Sequence, residues 1–297
     1  KKFKSKYINS KIQMLLKNYK TTFLQELSSL YEEQEIESFF YIILEKLHGL
    51  KRIDLALNPQ TVMDGAHLKQ WKNIVSELKK QRPIQYILGE TTFYGLSFLV
   101  NENTLIPRPE TEELVELIIK STNYELRNTK LKVLDIGTGT GLIALMLAQR
   151  SNANITAVDA EANAYQQAKI NFDASPWTNR LQLVHSKIQD FHSDQLFDLI
   201  VSNPPYFSGY YSSENLSRDI ARSADALLPY DELISSAKNS LIANGRLSLI
   251  LPADQQEKIT AIANQNELAL SRLTFVKTKN TKEAKRILLE FVNNSNQ

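Results

Sequence analysis

The spacing of hydrophobic residues changes near residue 90 and predicts two regions of different structure. Before that point, apolar side chains recur every three or four residues, as in amphipathic helices. Gly49 and Pro59 interrupt the pattern and separate one helix from the next. The pattern therefore predicts a helical bundle over residues 1–90, with the apolar sets Leu24, Leu27 and Leu30, then Ile36 to Leu47, then Leu68 to Leu78 on a helix from about Gly65 to Lys80.

A short segment of different character follows this helical region. Thr91 to Val100 is rich in β-branched and aromatic residues and contains Gly95, a pattern that predicts a β-hairpin. Pro107 and Pro109 then stiffen the entry into another amphipathic helix. We expect residues 91–108 to form a hairpin linker between two domains.

From Leu131 onward, predicted strands alternate with predicted helices. A mainly parallel sheet with helices on both faces is the usual fold for such an alternation. The sequence thus predicts an α/β fold over residues 109–297, with a Rossmann-like, seven-stranded, mainly parallel sheet. The predicted strands are Leu131–Ile136, Ile155–Val158, Leu181–Val184, Phe197–Val201, Arg246–Leu251, Leu270–Val276 and Arg286–Val292, the last two forming a hairpin at the sheet edge.

Composition narrows the possible chemistry. The chain has no cysteine, which excludes disulfides, thiolate zinc sites and a cysteine nucleophile. Its four histidines lack the spacing of metal ligands, so we expect no metal. We find neither a signal peptide nor an apolar run of membrane-spanning length, and we expect a cytoplasmic protein.

The formal net charge of the chain is only +2, but positive charge is concentrated near its start. Residues 1–20 contain lysines but no acidic residue. Such a run is typical of a solvated surface, with contact to RNA as the alternative.

A glycine-rich loop follows the first predicted strand of the α/β region and opens a helix. Glycines allow the backbone to approach a ligand closely, and a helix N-terminus offers free N–H groups. A dinucleotide fingerprint would need glycine at position 142, where the chain has Leu142. The spacing is instead the form found around the methionine and ribose of S-adenosylmethionine, the cofactor we expect. The expected contacts are Asp135, Gly137, Thr138, Gly139, Thr140 and Gly141.

Two further segments are candidates for contact with the cofactor. Asp159 ends the second predicted strand, where a carboxylate can accept hydrogen bonds from both ribose hydroxyls. Its alternative role is to cap the helix that follows. After the third strand, Ile188 could pack on the adenine and Asp190 could accept a hydrogen bond from its amino group.

The segment Asn203-Pro204-Pro205-Tyr206 is the candidate catalytic site, because it follows a buried strand at the same sheet edge. An amide or aromatic amino nitrogen is planar and nucleophilically weak. The Asn203 side-chain oxygen and the Pro204 carbonyl can accept its two hydrogens. The prolines fix the backbone, and Tyr206 can stack on the planar group. We expect these four residues and Phe207 to bind the substrate, with Asn203 also beside the cofactor. The alternative is a simple Pro-Pro turn.

The first 130 residues resemble the HemK/PrmC family of release-factor glutamine methyltransferases. The motifs that carry the resemblance are Arg82–Gly89, Phe93–Gly95 and Ile106–Glu112. The resemblance implies a class I S-adenosylmethionine methyltransferase fold behind an N-terminal helical domain. It also implies N5-methylation of the glutamine in the Gly-Gly-Gln motif of peptide chain release factors, on which the helical domain docks.

Residues 131–297 are more similar to tRNA adenine-N6 methyltransferases, which modify an adenine beside the anticodon of a valine tRNA. The similar stretches are Gly141–Arg150, Ser175–Trp177, Asn203–Phe207, Ala221–Arg222 and Leu249–Pro252. The chain thus resembles a fusion or chimera of two families with the same chemistry. We expect methylation of release factors, with tRNA as the alternative acceptor. A non-catalytic, cofactor-binding scaffold is a third alternative.

Overall fold

The chain divides into two units, Lys1–Glu90 and Thr91–Gln297. Helices make up most of the first unit. The computed structural model describes residues 14–102, 104–106, 109–121, 130–204, 228–277 and 283–294. The elements of the first unit are α1 (Leu16–Leu27), α2 (Glu33–His48), α3 (Arg52–Leu57), α4 (Gly65–Lys79) and α5 (Ile84–Leu88), with the short antiparallel strands β1 (Met14–Leu15) and β2 (Val62–Met63).

Aromatic side chains form the centre of this unit's core. Trp71 of α4 is fully buried and contacts the rings of Phe23 and Phe40, with ring centroids 5.5 and 5.0 Å away. Asp64 caps α4 by accepting hydrogen bonds from the backbone N–H groups of Ala66 and His67. The helical N-terminal region that the sequence predicts is therefore confirmed.

Helix α1 ends before Leu30, although the spacing of Leu24, Leu27 and Leu30 predicts that all three share one helix face. The helix ends at Leu27, and the backbone N–H groups of Leu30 and Tyr31 both bond to the Leu27 carbonyl. Leu30 lies beyond the helix with 40% of its surface exposed. The expectation that Leu30 shares the buried face is wrong, because the chain turns there before α2 begins.

A hairpin of β3 (Glu90–Phe93) and β4 (Leu96–Leu99) precedes α6 (Pro109–Ser121). Tyr94 and Gly95 both have positive φ, as a tight two-residue hairpin turn requires.

A seven-stranded sheet forms the centre of the second unit, in the order β10-β11-β9-β8-β5-β6-β7. Its strands are β5 (Lys132–Ile136), β6 (Asn154–Asp159), β7 (Leu181–His185), β8 (Phe197–Ser202), β9 (Leu241–Pro252), β10 (Leu268–Val276) and β11 (Arg286–Asn293). β11 runs antiparallel to both neighbours, whereas the other neighbouring pairs are parallel. The predicted seven-stranded, mainly parallel sheet is confirmed, with β10 at its edge.

In the described part of this unit, the helices are α7 (Leu142–Arg150), α8 (Ala162–Asp173), α9 (Tyr230–Ser240) and α10 (Gln256–Gln265) in addition to α6. Helix α10, whose buried residues include Ile259 and Ala263, is not among the helices predicted from the sequence. In the described segments, no helix combines the length and the apolar character needed to cross a membrane. Within the same segments, no three His, Cys, Asp or Glu side chains are grouped as metal ligands.

Two histidines in the helical unit predict a pH dependence of stability. The Trp71 indole N–H donates to His48 Nε2 at 3.0 Å, so this nitrogen must stay unprotonated. Burial lowers the pKa of His48 below 6.5, and nearby His67 lowers it further, against the opposite effect of Asp64. The stability contributed by neutral His48 is complete above about pH 6.5 and is lost as pH falls through the lower folded-state pKa.

We therefore expect His48→Gln to weaken the pH dependence of folding, because a glutamine oxygen accepts the same hydrogen bond without titrating. Unfolding free energies of the two proteins, measured in denaturant from pH 8 to 5, check this. The wild type should lose more stability on acidification than the variant. Parallel losses would show that His48 does not titrate against its contact with Trp71.

Candidate functional site

The glycine-rich loop leaves the carboxyl end of β5 and enters α7. Gly137, Gly139 and Gly141 all have positive φ, at 70°, 59° and 81°, a conformation that L side chains rarely adopt. The backbone N–H groups of Gly137 and Thr138 donate to the Val158 carbonyl at 2.9 and 3.2 Å. These bonds hold the loop over the end of β6.

The three glycines differ in what surrounds them. A Cβ atom on Gly137 or Gly139 would meet no atom within 4 Å, whereas one on Gly141 would lie 2.5 Å from Phe172 Cε1. The first two glycines thus face open space above the loop, which gives a ligand room to approach the backbone. Gly141 serves the packing of α7 against α8.

Asp135 lies beneath this loop and is fully buried. Its Oδ2 accepts a hydrogen bond from the Thr138 hydroxyl at 2.6 Å, while its Oδ1 has no partner among the described residues. Burial raises the pKa of Asp135 to about 7, against the lowering effect of the Thr138 hydroxyl. The carboxyl group therefore keeps a proton far more readily here than in water.

Asp159 is the last residue of β6, and its carboxylate points back to the glycine loop. Its Oδ2 accepts from the Gly139 backbone N–H at 2.8 Å, and its Oδ1 accepts from the Glu161 N–H at 3.0 Å. Burial raises the pKa of Asp159, against the lowering effect of these two N–H groups. The cap of α8 is Glu161, which binds the N–H groups of Asn163 and Ala164. The alternative prediction, that Asp159 caps α8, is therefore wrong.

The segment after β7 contains the two candidates for contact with adenine. Ile188 lies in a short 3-10 turn and is buried in the hydrophobic cluster on one face of the sheet. Asp190 ends the same turn and is exposed. Contact of either residue with a cofactor stays a prediction.

Asn203 follows β8 directly and lies beside the glycine loop. Ile136 of β5 is paired with Ser202 of β8, so the next residues of these parallel strands, Gly137 and Asn203, leave the sheet side by side. The Asn203 side-chain N–H donates to the Thr111 hydroxyl, with 3.4 Å between nitrogen and oxygen. This bond leaves the Asn203 side-chain oxygen available to a ligand.

Pro204 is buried after Asn203. The predicted roles of Pro205, Tyr206 and Phe207 fall outside the described residues. The structure thus brings Asp135, Asp159, the glycines and Asn203 to one edge of the sheet.

Asn171 of α8 supports the loop, although the sequence analysis does not single it out. Its side-chain N–H donates to the carbonyls of Thr140 and Leu99 at 2.9 and 3.0 Å. Its oxygen accepts from the Leu99 backbone N–H at 2.9 Å, and Gln167 donates to the Leu99 carbonyl. The hairpin and the glycine loop are therefore held by one helix. The sequence feature that could have identified Asn171 is its spacing from Gln167, because these two polar residues lie four positions apart on an otherwise apolar helix face.

The strand order and the glycine loop at the end of β5 define a class I S-adenosylmethionine-dependent methyltransferase fold. Among solved structures, a methyltransferase from Pyrococcus furiosus has a TM-score of 0.50 and 20% identity, and the alignment covers 74% of this chain and 98% of that one. This similarity concerns the fold alone.

Sequence comparisons identify the family. Residues 115–266 match the model of the methyltransferase small domain, and residues 21–89 match that of the PrmC N-terminal domain. The chain therefore belongs to the family of methyltransferases that carry the methyltransferase small domain.

Two curated relatives correspond to the two resemblances found in the sequence. The release factor glutamine methyltransferase of Flavobacterium psychrophilum is 46% identical over 79% of this chain and 85% of its own length. The tRNA1(Val) (adenine(37)-N6)-methyltransferase of Phocaeicola vulgatus is 48% identical over 54% of this chain and 68% of its own length. Both resemblances are thus confirmed.

The difference between the glycines gives a testable prediction. We expect Gly141→Ala to lower the free energy of unfolding by about 2–4 kcal/mol, because the new methyl group overlaps Phe172 and the backbone is strained. Gly139→Ala carries the backbone strain alone and should cost about 1 kcal/mol. Denaturant unfolding of both variants measures the difference. Equal losses would contradict the packing role of Gly141.

Proposed function

We propose that this chain binds S-adenosylmethionine at the glycine loop and methylates the side-chain nitrogen of a glutamine in peptide chain release factors. The observation that carries the proposal is the extent of the similarity to the release factor glutamine methyltransferase, which reaches over 79% of the chain. Residues 21–89, a helical segment outside the methyltransferase small domain, also match the PrmC N-terminal domain. The expected target is the glutamine of the Gly-Gly-Gln motif.

The residues at the sheet edge fit the cofactor. Gly137 and Gly139 leave open space above the loop, and Asp159 offers two carboxylate oxygens beside it. When bound, S-adenosylmethionine supplies an electrophilic methyl group on a sulfonium. Asp159 would accept hydrogen bonds from the ribose hydroxyls, and the loop backbone would contact the methionine part.

Asn203 would hold the acceptor nitrogen. Its side-chain oxygen and the Pro204 carbonyl would each accept one N–H of the planar amide. This arrangement favours the positive charge that builds on nitrogen during attack. It also fixes the nitrogen in line with the methyl group, and such alignment is a large part of the rate enhancement of bimolecular reactions.

The helical unit would recognise the protein substrate. Ile53, Leu57 and Val62 are large apolar side chains of this unit with 60%, 71% and 48% of their surface exposed. Ile53 and Leu57 lie four positions apart on α3 and are therefore neighbours on one helix face, and neighbouring exposed apolar groups are typical of protein-binding surfaces. We assign docking of the release factor to residues 1–90 and catalysis to residues 109–297.

The second candidate function is N6-methylation of adenine in a valine tRNA. The observation that favours it is the 48% identity with the tRNA1(Val) methyltransferase over 159 residues. An exocyclic adenine amino group is planar and has two N–H donors, so the same two oxygens could hold it.

The acceptor can be decided by incubating the protein with labelled S-adenosylmethionine and either unmodified release factor or unmodified tRNA. We expect label in the release factor, at a glutamine that mass spectrometry locates. A release factor in which this glutamine is replaced by asparagine is the matched control and should stay unlabelled. Label in tRNA alone would establish the second candidate, and label in neither would contradict both.

Asn203→Ala should lower the methyl transfer rate by at least a hundredfold, because an interaction specific to the transition state is removed. Binding of S-adenosylmethionine, measured by calorimetry, should change little. A transfer rate near that of the wild type would refute the role of Asn203.

Asp159→Ala should weaken binding of S-adenosylmethionine by about 1–3 kcal/mol, because the ribose hydroxyls lose their buried acceptors. Isothermal calorimetry measures this loss. Asp159→Asn is the control, since it keeps one acceptor oxygen and should lose less. Unchanged affinity in the alanine variant would exclude Asp159 from the ribose site.

A further inference from the structure

We infer that Thr111 is a positioning residue, whose hydroxyl holds the Asn203 side chain with its oxygen toward the acceptor group. The inference rests on the proposed function and adds a residue to it. It starts from one contact, the 3.4 Å separation between Asn203 Nδ2 and Thr111 Oγ1.

The direction of this hydrogen bond determines what Asn203 offers to a substrate. An amide nitrogen can donate but not accept, so the Thr111 oxygen is the acceptor in this pair. The Asn203 oxygen then keeps its lone pairs for the N–H groups of the acceptor. If the amide turned by half a rotation, it would present its own N–H groups to those of the substrate, and two donors would face each other.

Without a partner, little would hold the Asn203 amide in one plane. The terminal torsion of asparagine is broad and roughly twofold, so its two orientations are similar in intrinsic energy. A hydrogen bond to a fixed hydroxyl holds the plane of the amide. Because a hydroxyl can accept as well as donate, it can take the Asn203 N–H and leave the Asn203 oxygen facing the N–H groups of the acceptor. Asn203 therefore needs a neighbour whose position does not vary.

Thr111 meets this requirement. It lies in the first turn of α6, and only 2% of its surface is exposed. Its branched side chain has few accessible rotamers in a helix. Helix α6 packs against both β9 and α7, so the hydroxyl is attached to a rigid element.

Glu112, the residue after Thr111, connects the first turn of α6 to the β3–β4 hairpin. Glu112 accepts a hydrogen bond from the Tyr94 backbone N–H at 3.2 Å, in the turn of the hairpin. The Arg150 guanidinium lies over the Tyr94 ring, 3.7 Å from its centroid. The first turn of α6 is thus held by the hairpin while it holds Asn203.

The test compares Thr111→Val with Thr111→Ser. Valine keeps the branched shape without the hydroxyl, whereas serine keeps the hydroxyl. We expect Thr111→Val to lower kcat about tenfold, the order expected for losing one hydrogen bond that orients a reacting group. Thr111→Ser should stay within about threefold of the wild type. Binding of S-adenosylmethionine and the thermal midpoint should change little in either variant.

Thr260→Val is the matched control. Thr260 lies on α10, and its buried hydroxyl has no hydrogen-bond partner in the described residues, so the same substitution should leave kcat unchanged. The assay is steady-state methyl transfer to the acceptor identified above at saturating S-adenosylmethionine, so that kcat is separated from the KM for the acceptor.

The outcomes separate the inference from the function on which it rests. If Asn203→Ala is inactive but Thr111→Val retains wild-type kcat, the positioning role is wrong and the proposed function stands. If valine and serine variants lose kcat and thermal stability together, Thr111 serves packing alone, and the inference is again overturned. If Asn203→Ala itself remains fully active, the proposed function fails.

Discussion

Parallel pairing between β5 and β8 is the interaction on which the candidate site depends. Parallel neighbours end at the same sheet edge, so the residues that follow them lie close together. Ser202 at the end of β8 is fully buried, and its hydroxyl donates to the Ile136 carbonyl at 2.7 Å, which joins the two strand ends. This bond sets the glycine loop beside Asn203, and a slip in the pairing would separate the two.

The site is built over buried polar groups rather than over hydrophobic packing alone. Asp135, Thr138 and Asn171 are all buried, and each makes a side-chain hydrogen bond to the loop or within it. Buried polar groups are costly unless they are paired, and when paired they fix one conformation. The loop therefore holds its left-handed glycines in place while the space above Gly137 and Gly139 stays open.

The parts of the fold that depend on local patterns follow from the sequence. The alternation of apolar strands with helices predicts the seven-stranded sheet, and the glycine spacing predicts the turn at the end of β5. Helical periodicity likewise predicts the N-terminal bundle, with an error at Leu30, where the chain turns earlier than the leucine spacing suggests.

The parts that depend on distant contacts do not follow from local patterns. Nothing in the glycine spacing distinguishes Gly141 from Gly139, because the difference lies in Phe172, a residue of the next helix. Similarly, Thr111 and Asn203 are separated by 92 positions, and only the packing of α6 brings them together. Local patterns in the sequence therefore do not reveal either contact.

A crystal structure with S-adenosylhomocysteine and a glutamine-containing peptide would show whether both bind at the sheet edge formed by β5 and β8. We expect the ribose hydroxyls to lie on Asp159, the sulfur to face the peptide amide, and the Asn203 oxygen to lie within hydrogen-bond distance of that amide nitrogen. An Asn203 side chain turned away from the loop, with no space for a planar group between them, would contradict this arrangement.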